Sequence, residues 1–401
     1  MGPELVSESL LPDQASLQRR LMEWAAISSW TYDPTGMARM AAVLETEMAS
    51  LGVEVQRREL APEVSLDDQG REHHAKLGPL LVARCRPQAK RQVLLGIHYD
   101  TVYGPNLTAG ALVQHGEHLR GPGVADAKGG IVVLLAALEA FEQTAAASDL
   151  GWELFFNPDE EIGSPCSLEY FESCRDRFDF ALLFEPALAD GGMAIQRKGS
   201  GNFTFVVRGK SAHAGRDFHE GRNAVVHASR LAERIADCNG QFGTSTFNVA
   251  RLVGGGPLNA VPDLCTLRVN VRVDVASRQP LIESRLRAIA HEFDSVAGFH
   301  CELHGSISSP PKPPTPQVWS LAKRIEAIAT PLGQEPTWIE TGGVCDGNKL
   351  AAVGIPTIDT LGPRGGGLHS EREWVDLTSL VPRARLVASL LNAHARANIL
   401  E

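Results

Sequence analysis

Val93-Leu-Leu-Gly-Ile-His-Tyr-Asp100 is an uncharged apolar run that ends in an imidazole and a carboxylate. A run of that length without polar alternation reads as a strand buried on both faces. Residues 80–83, 152–156 and 180–184 repeat the pattern, and residues 130–141, rich in alanine and leucine, have the length of a helix. Upstream, residues 14–54 read as helical, with Leu17, Leu21, Trp24 and Ala25 on one face, then Met40, Leu44 and Met48, and Gly52 ending the run. Apolar strands alternating with helices predict an α/β domain with a sheet covered on both sides.

The pattern changes near Gly199. Residues 203–207 read as a strand, 223–235 as a helix, 245–253 and 264–273 as strands, 280–293 as a helix and 301–303 as a short strand. The order βαββαβ is that of a ferredoxin-like unit. Five prolines within residues 309–316 then suggest a stiff return linker, after which the α/β style resumes. The expected organisation is a larger domain in two parts, 1–198 and 309–401, interrupted by a smaller inserted domain over 199–308.

The 401 residues suit two domains of roughly 100–200 residues each. Hydrophobic residues at 43% and charged residues at 21% give the balance of a globular protein. A formal charge of −10 argues against general affinity for nucleic acid or anionic membrane. Seven scattered cysteines with no Cys-x-x-Cys pair fit reduced thiols, and residues 1–20 lack the basic start and apolar core of a signal peptide. With no apolar run near the ~20 residues a bilayer requires, the expectation is a cytoplasmic protein.

Chemistry concentrates where those strands end. The first delivers His98 and Asp100, the third Asp159, Glu160 and Glu161, and the fourth Glu185; Asp126 lies in a glycine-rich turn just before a helix. Open α/β sheets bind ligands beyond the carboxyl ends of their strands. Taken singly, each residue has a plainer reading: His98 as a loop histidine, Glu160 and Glu161 as solvated charge, Asp126 as a helix cap. Asp100 beside His98 is more telling, because a ligating imidazole usually donates its other N–H to a carboxylate. Glu185 is harder to dismiss too, since a carboxylate closing a buried strand needs a partner.

Seven ordered segments carry a family resemblance: His98-Tyr-Asp-Thr, Gly123-Val-Ala-Asp-Ala-Lys-Gly-Gly, Pro158-Asp-Glu-Glu-Ile-Gly-Ser, Phe184-Glu-Pro, Lys210-Ser-Ala-His-Ala-Gly, Asn259-Ala-Val-Pro and Gly367-Leu-His-Ser. They span nearly the whole chain. In them the sequence resembles the co-catalytic zinc exopeptidases and amidohydrolases: glutamate carboxypeptidase, whose look is nearest, acetylornithine deacetylase, succinyl-diaminopimelate desuccinylase and aminoacylase. The resemblance implies hydrolysis of a peptide or N-acyl amide bond next to a free carboxylate. Asp126 would bridge two divalent cations, with His98 and Glu185 completing one site and Glu161 and His369 the other. Carboxylates and imidazoles without thiolates suit zinc, with cobalt or manganese as substitutes. Glu160 would be the general base and Asp100 would orient His98. The resemblance further implies that the larger domain is catalytic and the inserted one a lid through which two copies form a homodimer, with His213 stabilising the oxyanion in the partner's site, and Asn259 and Arg272 contacting substrate. Arg272 is a natural fork for a carboxylate.

The glycine-rich segments Thr341-Gly-Gly-Val-Cys-Asp-Gly-Asn and Gly362-Pro-Arg-Gly-Gly-Gly-Leu-His allow close backbone approach to an anion. Cys345 within the first has no identifiable His–Asn partnership for nucleophilic work. After the lid's last strand, where glutamate carboxypeptidases carry a further arginine, this chain reads His304-Gly-Ser-Ile-Ser, which leaves a glutamate preference open. Two other readings are a dipeptidase or aminopeptidase, which would need an acidic group for the substrate's amine, and a non-catalytic binding protein retaining the fold. Such a protein would usually have lost a ligand or the base, and here all six positions are filled.

Overall fold

The computed structural model describes residues 4–397 apart from Asn106, Thr108 and Ala109, so residues 1–3 and 398–401 of the expected outer segments lie outside it. Its main sheet has six strands in the spatial order Val55–Arg58, Leu80–Cys85, Leu150–Asn157, Arg91–His98, Phe180–Leu183, Thr357–Ile358. The last four run parallel and the first two join antiparallel. Along Arg91–His98, Val93, Leu95 and Ile97 enter one core cluster and Leu94 the other. Leu154 and Phe156 alternate with Phe155, and Leu182 with Leu183, in the same way. The period of two shows both faces covered, which explains why these strands read as continuous apolar runs.

Lys128–Glu142 is buried almost all round, and it packs with Gln14–Ala25 and Leu380–Arg396 into the larger cluster. Full burial of each Leu, Ile or Val there contributes about 1.5–3 kcal/mol. The helical stretch expected over 14–54 is two helices, Gln14–Ala25 and Pro34–Ser50. Asp33 caps the second through the N–H groups of Thr35 and Gly36, and Pro34 supplies its first residue.

A second sheet, four antiparallel strands in the order Thr246–Gly254, Leu264–Val273, Gly199–Arg208, His300–Ser309, carries the helices Ala224–Ala236 and Gln279–Asp294 over a core of its own. The βαββαβ order is as expected, although the last strand runs to Ser309 rather than stopping at residue 303. The proline-rich return packs against the outgoing chain: Lys312 is fully buried, and its N–H and C=O exchange bonds of 3.0 and 3.1 Å with Arg197. A hairpin absent from the sequence reading, Glu63–Leu66 with Glu72–Ala75, docks on this second sheet. There Asp68 meets Arg251 and Arg268 at 2.5 and 3.1 Å.

Gly130 lets the helix Lys128–Glu142 approach the end of Phe180–Leu183. A Cβ at this position would lie 2.0 Å from the carbonyl oxygen of Phe184, a backbone atom with nowhere to move. Gly130→Ala should lower the unfolding free energy by about 1–3 kcal/mol, as overpacked cores do. A urea midpoint equal to the parent's would show that this contact is looser than described.

Candidate metal centre

The register of the parallel strands sets the site. His98 pairs with Asn157 and Gly96 with Leu183, so the residues that follow each strand emerge on one sheet edge. Asp126 arrives from the turn before Lys128. The cap of that helix is Ala127 without any side-chain bond, so the Asp126 carboxylate is free of capping duty. Instead its two oxygens divide. Oδ1 lies 3.1 Å from His98 Nε2, with Glu185 Oε2 3.8 Å from the same nitrogen. Oδ2 lies 3.3 Å from His369 Nε2, and Glu161 Oε2 is 3.1 Å from that nitrogen. One carboxylate therefore stands between a His98–Glu185 lobe and a His369–Glu161 lobe.

His369 reaches this point on a loop between two short paired strands, Gly365–Gly366 and Trp374–Asp376. It holds φ +56°, left-handed backbone that His tolerates better than most residues. Gly367, at φ +68°, packs under the carbonyl of Arg372, where a Cβ would sit 2.4 Å from that oxygen.

Asp100 is fully buried and serves both sides of the site. Its Oδ1 is 3.2 Å from His98 Nδ1, and its oxygens accept the N–H groups of Glu160 and Glu161 at 3.2 and 3.3 Å and the Thr31 hydroxyl at 2.7 Å. Those two glutamates thus lie on a single turn, Glu160–Ile162, closed by left-handed Gly163. Their side chains differ. Glu161 engages His369, whereas the Glu160 carboxylate has no hydrogen-bond partner among the described residues and faces the cleft.

Glu373 is a buried acid that sequence reading missed. It accepts the N–H groups of Gly123, Ala125 and Asp126 at 3.0, 2.8 and 3.0 Å and the hydroxyl of Tyr103. It thereby fixes the turn that aims Asp126. Within Ser370-Glu-Arg-Glu-Trp it looks like solvated charge, and nothing local marks it as buried.

Burial lowers and Asp100, Asp126 and Glu185 raise the His98 pKa, and the net direction is well upward. Hydrogen bonds to Asp126 and Glu161 push His369 up to about 11. Burial would raise Asp126, but the two imidazoles outweigh it and hold its carboxyl low. Burial, then the Asp126 charge, brings Glu161 to about 7, and burial with Glu185 drives Glu160 well up. Carboxylates this crowded and buried need cations, and without metal the imidazolium protons supply them. The donor set fits divalent ions: donor atoms of His98, Asp126 and Glu161 lie within 4.8 Å of one another, and Glu161 Oε1 is a buried acceptor with no partner.

The remaining expected site residues are not at this cluster. His213 and Asn259 sit together on exposed loops of the second sheet, where Ala214 N–H donates to the Asn259 carbonyl at 2.9 Å. Arg272 donates to Asn270 at 3.1 Å and leaves Nη1 buried without a partner. None of the three lines the cleft beside the cluster. Cys345 does line it. Its side chain caps the helix Asp346–Ala352, and burial drives its thiol well up, so it stays a neutral thiol and no nucleophile.

Fold and site together are those of a metallohydrolase acting on amide bonds. The chain belongs to the peptidase family M20/M25/M40, whose family model matches residues 94–393. Carboxypeptidase G2 of Pseudomonas sp. (strain RS-16) is 28% identical over 386 residues, 94% of this chain and 89% of that protein. A succinyl-diaminopimelate desuccinylase of Nitrosospira multiformis is 27% identical over 282 residues, 67% and 72% of the two chains. Two solved structures share the fold. A metallo-carboxypeptidase of the M20 family from Sulfolobus solfataricus has a TM-score of 0.75 at 16% identity, over 95% of this chain and 99% of that one. A tripeptidase from Staphylococcus aureus has a TM-score of 0.74 at 21% identity, over 96% and 100%.

Two outcomes follow for this site. Metal must displace protons from His98 and His369, whose pKa values are raised, so affinity for Zn2+ should rise with pH through the neutral range. Calorimetry in buffers of different ionisation heat should show net proton release, and its absence would refute the protonated cluster. Glu373→Ala strands three buried N–H groups, at about 1–3 kcal/mol each, and should lower both stability and metal stoichiometry. Glu373→Gln should recover part of both.

Proposed function

We propose that this chain hydrolyses a peptide or N-acyl amide bond next to a free carboxylate with two divalent cations, most naturally zinc. The single observation that carries the reading is the Asp126 carboxylate divided between His98 with Glu185 and His369 with Glu161. A carboxylate flanked in this way would help hold both ions, with His98 and Glu185 completing one set of donors and His369 and Glu161 the other. When bound, such ions polarise the scissile carbonyl and bring the pKa of a held water towards about 7.

The protein's own groups do the rest. Glu160, free of ligand duty and held by Asp100 through its backbone, takes the proton from water and passes it to the leaving nitrogen. Asp100 keeps His98 oriented with Nε2 towards Asp126. Arg272, whose Nη1 lacks a partner, takes the substrate carboxylate, and Asn259, on the loop beside His213, also contacts substrate. Residues 199–308 form a lid that closes on substrate and pairs two copies into a homodimer. His213, exposed and remote from its own cluster, acts on the oxyanion in the partner's site. The amide relatives named above support the reaction class.

No helix among the described residues is long and apolar enough to cross a membrane. All seven cysteines are free thiols, which supports our placing the protein in the reducing cytoplasm.

Glu160→Gln should retain two metal ions per chain while turnover of N-acyl amino acids falls by at least about 100-fold, the usual scale of general-base catalysis. Activity near the parent's level would remove Glu160 as base. For the lid, sedimentation should give a dimer, and a His213→Ala protein mixed with Glu160→Gln should regain activity as heterodimers form. A fully active monomer would sink the action in trans.

A further inference from the structure

Leu188, Ile339, Val344 and Leu368 belong to none of the hydrophobic core clusters, yet all four line the cleft beside the Asp126 cluster. They come from three separate segments: Ile339 lies in the short strand Trp338–Thr341 with Val344 just after it, and Leu188 and Leu368 sit on two other loops. Leu188 and Leu368 are 42% and 40% exposed, and Ile339 and Val344 are half-buried. Apolar side chains gathered around a polar centre, without a core to fill, mark a surface that a ligand covers. The cleft volume is about 330 Å³, at the small end for a ligand pocket.

Charge narrows the occupant. Apart from His369, the basic side chain lining this cleft is Arg197, and its fork is already closed. Nε and Nη2 each bond Asp359 at 2.9 Å, and Nη1 donates to the Gly343 carbonyl at 3.3 Å. Asp359 is held in turn by Lys312 at 2.7 Å. No uncommitted cation is left among the described lining residues for an acidic group on the substrate. The acids facing the cleft are Asp126, Glu160 and Glu185, all members of the cluster, so none is spare to hold a free amine.

We infer that the substrate group seated against the catalytic domain, flanking the scissile bond, is an uncharged apolar one: an aliphatic or aromatic side chain or acyl chain. This rests on the proposed amide hydrolysis and adds its substrate class, one distinct from acidic or free-amine substrates. Leu188 and Ile339 are the specificity-determining residues.

The test uses two matched series with the zinc-loaded full chain. One varies the side chain: N-acetyl-leucine, N-acetyl-phenylalanine, N-acetyl-glutamate and N-acetyl-lysine. The other varies the acyl group: acetyl-, hexanoyl- and succinyl-alanine. In at least one series the apolar members should exceed the charged ones in kcat/KM by about tenfold or more. Leu188→Asp and Ile339→Asp should erase that ratio in the same series while leaving the melting temperature unchanged. A preference for charge in both series, or variants that slow every member equally, would overturn the inference. If no member is cleaved, the amide-hydrolase reading itself fails. Calorimetric binding of the same compounds then decides the cleft alone: tighter binding of the apolar members, lost in Ile339→Asp, supports it, and equal or weaker binding overturns it.

Discussion

The Asp126 carboxylate, shared between two imidazoles at a buried sheet edge, is the constraint around which the structure is arranged. Four carboxylates and two histidines lie within reach of one another there, and burying such charge is costly unless each group is paired. Two further buried acids manage that cost from outside the cluster. Asp100 binds the backbone of the Glu160–Glu161 turn while holding His98, and Glu373 binds the backbone of the Asp126 turn. Both fix direction by accepting N–H groups. Within that frame the Glu160 carboxylate has no hydrogen-bond partner among the described residues and faces the cleft, which separates it from its neighbour Glu161 although the two are adjacent in sequence.

A second device joins the two sheets. The outgoing and returning chains lie side by side at Arg197 and Lys312, and Asp359 binds both cations. Burial would raise the Asp359 carboxyl, but Arg197 and Lys312 outweigh it and bring it down to about 2. The Asp359 carboxylate therefore stays ionised at neutral pH between the two side chains. Because Arg197 also lines the cleft, the same pairing that secures the junction withdraws its guanidinium from the substrate and leaves the cleft walls to Leu188, Ile339, Val344 and Leu368. Farther away, Asp68 ties a hairpin of the larger domain to Arg251 and Arg268 on the second sheet.

Much of this was readable from the chain. The runs around residues 94, 154 and 182 are apolar because their strands are covered on both sides, and each run ends in the residue it delivers to the edge. The βαββαβ order showed equally well, since half-buried strands and amphipathic helices have different periods. Other features were not legible. Asp126 could have been a helix cap, and only the structure shows Ala127 in that place with the carboxylate turned to His98 and His369. The proline-rich return read as a stiff linker, and prolines do not reveal that Lys312 among them is buried. Glu373 and Asp359 look like ordinary charges, since what buries them comes from segments some 250 and 160 residues away.

The order of secondary elements, the apolar strands and the chemical identity of the six clustered side chains are properties of the chain itself, because periodicity and residue type are local. Which oxygen of Asp126 faces which imidazole, that Glu160 stays free while Glu161 is engaged, and that Arg197 is spent on Asp359 were settled only by tertiary structure. Those are matters of ångströms between residues far apart in sequence. They depend on register and packing, which no local pattern of residues encodes.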